Sequence, residues 1–68
     1  MQLQIRVLPA GKDQTMELEE GADGFRLMDA LKLNPDAHLI LKGDRPIPGD
    51  SKLRDGDHIS IVSVISGG

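Results

Sequence analysis

The run from His58 to Ile65 restricts the possible folds more than any other segment, because it is the most β-prone stretch of the chain. Apolar residues occupy both faces of the strand predicted there, a pattern typical of strands that are covered on both sides. We therefore expect this strand at the centre of a sheet. With 68 residues the chain has room for a single domain, residues 1–68, which buries about 60 % of its unfolded surface.

Two earlier segments, residues 2–7 and 15–19, alternate polar and apolar residues with the period of half-buried strands. Residues 9–13 between them are rich in turn formers, which predicts an antiparallel hairpin. The apolar residues expected to face the core are Leu3, Ile5, Val7, Met16 and Leu18.

A helix is predicted after this hairpin. Asp23 can cap it, because the carboxylate can accept hydrogen bonds from the free N–H groups of the first turn. Asn34 and Pro35 predict its end, since the residue before a proline disfavours helical backbone angles. The expected length is about three turns. The apolar stripe of this helix consists of Phe25, Leu27, Met28 and Leu31.

The remaining segments predict a strand over residues 37–42, a short edge piece at 45–48 and a connecting loop at 49–54. The edge position follows because prolines cannot donate the hydrogen bonds of a sheet. Leu53 is expected to anchor the loop in the core. This order of elements predicts an α+β fold, the β-grasp, in which one helix packs across one face of a mixed sheet of four or five strands.

Composition argues against several classes of function. The chain lacks cysteine, so it forms neither disulfides nor iron–sulfur clusters. Its net charge of −3 argues against nucleic-acid binding, which usually needs a basic surface. No apolar run approaches the roughly 20 residues that span a bilayer, and the first residues do not resemble a signal peptide. We therefore expect a cytoplasmic monomer that binds neither nucleic acid nor membrane.

Two histidines and two aspartates are expected to have simple structural roles. His38 and His58 are the only histidines, and the sequence predicts no third ligand that would complete a metal site. Asp55 and Asp57 look like a fragment of a calcium loop, but the other ligands of such a loop are missing. We interpret both aspartates as turn formers and expect no bound cofactor.

Residues 53–61, LRDGDHISI, resemble the signature of the ubiquitin-like sulfur-carrier family, in which Asp-Gly-Asp precedes alternating apolar positions. The ending VISGG, residues 64–68, is similar to the family's tail of two apolar residues, a small residue and two glycines. The family includes the thiamine and molybdopterin sulfur carriers, their relative in tRNA thiolation and the small archaeal modifier proteins. Residues 33–35 and 41–48 look closest to the archaeal modifiers.

The resemblance implies a carrier or modifier protein rather than an enzyme. In this family an activating enzyme uses ATP to adenylate the C-terminal carboxylate, here that of Gly68, which follows Gly67. A sulfur donor then converts the adenylate to a thiocarboxylate, or the carbonyl is joined to a target lysine. The implied partners are the activating enzyme and a sulfur donor, downstream synthase or target protein. Thiamine, molybdopterin, and protein or tRNA modification remain open destinations.

The two glycines suit this chemistry for a physical reason. Glycine has no Cβ, so it can pass a narrow channel and leave its carbonyl open to attack. A tail of residues 65–68 reaches roughly 13 Å when extended at about 3.3 Å per residue. A second interpretation is a non-catalytic β-grasp interaction domain with an incidental glycine tail, since glycine and serine are common at frayed termini.

A docking surface is expected beside the tail. If Leu39 and Leu41 face the core, alternation places Ile40 outward, and the same reasoning places Val62 and Val64 outward. Ubiquitin is similar, because an isoleucine and a valine at the matching positions form its main recognition patch. The residues expected to contact the activating enzyme are Ile40, Val62, Val64, Ile65 and Ser66. Leu8 or Pro9 could extend this surface.

Gly24 departs from the family pattern, which usually has a branched apolar residue at this position. We expect the neighbouring Phe25 to fill the space that such a side chain would occupy.

Overall fold

The computed structural model describes residues 1–8 and 11–64. These residues form five strands, one α-helix and one short 3-10 helix. Their bounds are β1 (Gln2–Leu8), β2 (Lys12–Glu17), α1 (Gly24–Leu31), the 3-10 helix (Pro35–Ala37), β3 (His38–Lys42), β4 (Arg45–Ile47) and β5 (His58–Ser63). Within the described ranges, no helix is long and apolar enough to cross a membrane.

Strand β5 lies at the centre of the sheet, as its sequence predicts, and the strand order is β2-β1-β5-β3-β4. It pairs parallel with β1, where Ile59 is opposite Ile5, and antiparallel with β3, where Ile61 is opposite Ile40. Strands β1 and β2 form the predicted antiparallel hairpin. The proline-containing strand β4 is at the edge. The α+β β-grasp prediction is therefore confirmed.

One apolar core lies between the sheet and α1. Leu53, in the loop before β5, is buried in it, which confirms its predicted role as an anchor. Fully burying a side chain of this kind stabilises the fold by about 1.5–3 kcal/mol. The buried apolar residues are Leu3, Ile5, Leu18, Ala22, Leu27, Met28, Ile40, Leu53, Ile59 and Ile61.

Helix α1 begins as predicted and ends earlier. Asp23 accepts a hydrogen bond from the Arg26 N–H at 2.9 Å, which confirms the cap. The helix ends at Leu31, not at Asn34, because Lys32 adopts the left-handed conformation with φ of 60°. The N–H of Leu33 then donates to the Met28 carbonyl at 2.8 Å, a bond that closes the helix.

Two further boundaries differ from the prediction. Pro35 starts the 3-10 helix instead of following α1 directly. Strand β2 begins at Lys12, within the predicted turn, because its pairing with β1 continues as far as Val7. Leu18, predicted inside the strand, follows its last residue and is still buried.

Gly24 makes room for a side chain from the sheet. A Cβ at this position would meet Ile40 Cδ1 and would lie 2.9 Å from the carbonyl oxygen of Gly49. The prediction that Phe25 fills this space is wrong, because Ile40 fills it. Phe25 instead lies over Gly49 and is 50 % exposed.

Candidate functional site

The predicted site lies at the C-terminal end of β5. Gly67 and Gly68, together with Ile65 and Ser66, lie outside the described residues. Beyond β5 the structure describes one more residue, Val64. Its N–H donates to the Ala37 carbonyl at 2.8 Å. The Val64 side chain is 50 % exposed, in agreement with its predicted outward position.

The prediction that Ile40 faces outward is wrong. Ile40 is 2 % exposed, whereas Leu39 is 42 % exposed. Strand β3 pairs Ile40 with Ile61 and Leu39 with Val62, so Ile40 points toward the helix and Leu39 points away from it. A shift of one position in the assumed alternation moves every side chain of a strand to the other face.

An apolar surface does occupy the sheet face opposite α1, with Leu39 in place of Ile40. We call it the apolar patch, and it consists of Leu8, Leu39, Leu41 and Val62. Leu8 and Leu39 flank Val62 on the two strands next to β5. Neighbouring strands are about 4.8 Å apart, which brings these side chains into contact distance. Leu8 was a predicted extension of the surface, and Pro9 lies outside the described residues.

The other half of the same sheet face is polar. We call it the polar recess, a hollow of about 270 Å³ near the start of β5. Its backbone walls include Gly43, in the turn between β3 and β4. The polar side chains that line it are Gln4, Arg6, Asp13, His58 and Ser60.

Arg6 and Asp13 form a two-point ion pair across the β1–β2 hairpin. Arg6 Nε donates to Asp13 Oδ1 at 2.6 Å and Nη2 donates to Oδ2 at 3.1 Å. The hydrogen bond from Arg6, together with its charge, holds the pKa of Asp13 below its usual range. Asp13 in turn raises the pKa of Arg6. Register explains the pair, because the two residues are directly opposite.

The Asp-Gly-Asp turn has the structural role that was predicted for it. Asp55 Oδ1 accepts the Gln2 N–H at 2.6 Å, and Asp57 Oδ2 accepts the Arg54 N–H at 2.8 Å. The Gln4 N–H donates to the Asp57 carbonyl at 2.9 Å, which ties the turn to β1.

In residues 1–8 and 11–64, no group of three or more His, Cys, Asp or Glu side chains could hold a metal ion.

Sequence reasoning missed two parts of this face. The three consecutive apolar residues 39–41 do not alternate, so they cannot reveal which of them points outward. Gly24 carried a usable signal, because a missing side chain on the helix leaves space for an inward one from β3. The polar recess could not be predicted, because its lining comes from three strands, β1, β2 and β5, and from the turn after β3.

Comparison with known proteins identifies the family. The family profile described as "Small archaeal modifier protein 2" matches residues 1–65. The chain belongs to this family. An uncharacterized protein of Archaeoglobus fulgidus is 34 % identical over 69 residues, which cover 97 % of this chain and 100 % of that protein. The small archaeal modifier proteins were the predicted relatives, so that prediction is confirmed.

Solved structures agree with the modifier fold. The crystal structure of SAMP1 from Haloferax volcanii superposes with a TM-score of 0.76 at 12 % identity and covers 100 % of both chains. Caldiarchaeum subterraneum ubiquitin superposes with a TM-score of 0.71 at 19 % identity, covering 100 % of this chain and 98 % of that one. At these identities the likeness shows the fold. The chain therefore combines membership of the modifier family with a ubiquitin-like fold.

Proposed function

We propose that this modifier protein presents the carboxylate of Gly68 to an activating enzyme. A carboxylate oxygen attacks the α-phosphorus of ATP, which forms an acyl adenylate and releases pyrophosphate. A hydrosulfide-equivalent donor then displaces AMP and leaves a thiocarboxylate. Alternatively, a lysine amine of a target protein displaces AMP, loses a proton and forms an amide. The activating enzyme binds ATP and provides the catalytic groups. This chain provides the carboxylate, which is attached to its folded body.

The observation that carries the proposal is the position of the apolar patch. It lies on the sheet face beside the C-terminal half of β5, the strand that leads toward Gly67 and Gly68. Leu39 and Val64 are exposed although both are apolar. Exposed apolar residues that form a contiguous patch often mark a protein interface. Membership of the modifier family supports the same function.

We infer that the activating enzyme contacts the apolar patch while the tail enters its active site. Binding through the folded body would hold the tail near ATP and convert a diffusive encounter into a positioned one. The surface proposed for this contact is the apolar patch with Val64, Ile65 and Ser66, and Leu39 replaces the predicted Ile40. The protein is proposed to act in the cytoplasm as a monomer, without a cofactor of its own.

Intact-mass spectrometry tests the proposal. The protein is incubated with the activating enzyme of its own organism, Mg-ATP and sulfide. We expect a mass increase equal to the difference between sulfur and oxygen, and none for a variant that lacks Gly68. The same reaction with lysine-bearing protein extracts, analysed for branched peptides, tests the amide branch. An unchanged mass and no branched peptide, with an enzyme that activates another modifier, would falsify the proposed function.

A further inference from the structure

Side chains on the outer sheet face form three rows that run across the strands. The first row, next to the tail, is apolar and contains Leu39, Val62 and Leu8. The third row contains His58, Gln4 and Thr15. The row between them, in strand order from β4 to β2, is Pro46, Leu41, Ser60, Arg6 and Asp13. The apolar patch and the polar recess therefore meet in the middle row, where Leu41 belongs to the patch and Ser60 and Arg6 belong to the recess. The two form halves of one surface.

The polar recess offers hydrogen-bond donors to an incoming group. Both carboxylate oxygens of Asp13 already accept hydrogen bonds from Arg6. A guanidinium has five N–H groups, so three of those on Arg6 have no partner within the described part of the chain. The imidazole of His58 and the hydroxyl of Ser60 line the same hollow.

Charge decides which group fits there. A cationic group would meet the Arg6 guanidinium, while the carboxylate of Asp13, which lines the same hollow, is already engaged by it. A carboxylate would find free guanidinium N–H groups held in a fixed orientation by the ion pair. Charge-assisted hydrogen bonds of this type are about twice as strong as neutral ones. Chemical complementarity therefore favours an acidic side chain over a basic one.

We propose that the polar recess receives an aspartate or glutamate side chain from the protein that docks on the apolar patch. This rests on the proposed function, whose activating enzyme is that protein. Adjacent rows on one face are separated by two residues, about 7 Å along the strand. The partner should therefore present a carboxylate about 7 Å from the apolar side chains that cover Leu39 and Val62.

Adenylation kinetics test this inference with the full chain, its activating enzyme and ATP. We expect Arg6→Ala to raise KM for the modifier by about two- to fivefold, within the range of an exposed ion pair, with kcat unchanged. Asp13→Asn should lower KM, because it removes a negative charge beside the incoming carboxylate. If Arg6 and Asp13 only hold the hairpin together, both variants should change KM in the same direction, which would overturn the proposal.

Arg26→Ala is the matched control. Arg26 is also an exposed arginine in ion pairs, with Glu19 at 3.0 Å and Asp29 at 3.3 Å, but it lies on α1 at the opposite side of the sheet. We expect KM for Arg26→Ala to equal that of the wild type. For Arg6→Ala, we expect KM to depend less on salt concentration than it does for the wild type. Equal KM values for Arg6→Ala and Arg26→Ala contradict the inference, whereas absent turnover of the wild type contradicts the proposed function.

A titration with acetate alone separates a docking contact from a general anion site. We expect no saturable shift of the Arg6 and His58 NMR signals at millimolar acetate. Saturable binding of acetate would show that the polar recess binds small anions by itself, which contradicts its assignment to a partner side chain.

Discussion

In β3 the neighbours Leu39 and Ile40 serve different parts of the protein. Ile40 lies in the core against Gly24, whereas Leu39 stands on the outer face beside Val62. Core substitutions of isoleucine change stability, because they remove buried contacts and leave a cavity. Substitutions of an exposed residue usually change stability by about 0.5 kcal/mol or less. Function and stability can therefore be separated at two adjacent positions.

Leu39→Arg should leave the fold intact and weaken activation. We expect the free energy of unfolding to change by about 0.5 kcal/mol or less. KM for the modifier in adenylation should rise at least about tenfold, since a charge placed within an apolar contact must be desolvated. Chemical denaturation and adenylation kinetics measure the two effects. Gln14→Arg, exposed on β2, is the control; an equal KM for both variants would refute a role of the apolar patch.

Helix α1 and strand β3 approach closely because Gly24 has no side chain. The hydrogen bond from the Phe25 N–H to the Gly49 carbonyl, 2.9 Å long, holds the loop before β5 against the same turn of helix. An added Cβ would meet Ile40 Cδ1 and the carbonyl oxygen of Gly49. Overpacking of this kind costs about 1–3 kcal/mol. The helix preference of alanine, up to about 1 kcal/mol, offsets part of it.

A double-mutant cycle tests this contact. Gly24→Ala should destabilise the protein in the wild-type background and destabilise it less in Ile40→Val, which lacks Cδ1. We expect a coupling of at least about 0.5 kcal/mol from denaturant unfolding. The rescue should be partial, because the Gly49 carbonyl remains. The control cycle combines Gly24→Ala with Val62→Ala, which lies on the outer face, and its effects should be additive. If the effects of Gly24→Ala and Ile40→Val are also additive, Ile40 and Gly24 do not compete for one space.

The elements that the sequence predicted correctly are those with a local signal. Alternation in residues 2–7 predicted β1, and the carboxylate of Asp23 predicted the start of α1. The end of α1 was missed because Lys32, a non-glycine residue, adopts a left-handed conformation that its type does not announce. The outward residue of β3 was missed because three apolar residues in succession carry no alternation. The polar recess was missed because its side chains come together from β1, β2 and β5, through registers that no local signal in the sequence gives.

At the scale of the whole molecule, one small core supports two different faces. Among residues 1–8 and 11–64, the helix and the loops cover the inner face of the sheet and leave the outer face uncovered. A chain of 68 residues is expected to have a free energy of unfolding of roughly 3–10 kcal/mol. Each buried side chain therefore contributes a large share of the total. The loop before β5 reaches the core through Leu53. A substitution of Leu53 therefore tests whether this loop is needed to cover the core.

Leu53→Ala should cost about 2–5 kcal/mol, because it removes buried methyl groups and leaves a cavity. Leu39→Ala is the same substitution on the outer face, and it should cost about 0.5 kcal/mol or less. Thermal and denaturant unfolding of both variants measure the difference. Because total stability is low, Leu53→Ala should be partly unfolded at moderate temperature and should lose adenylation with it. If the two leucines prove equally important for stability, the loop before β5 does not close the core, and the division of the sheet into a structural face and a docking face fails.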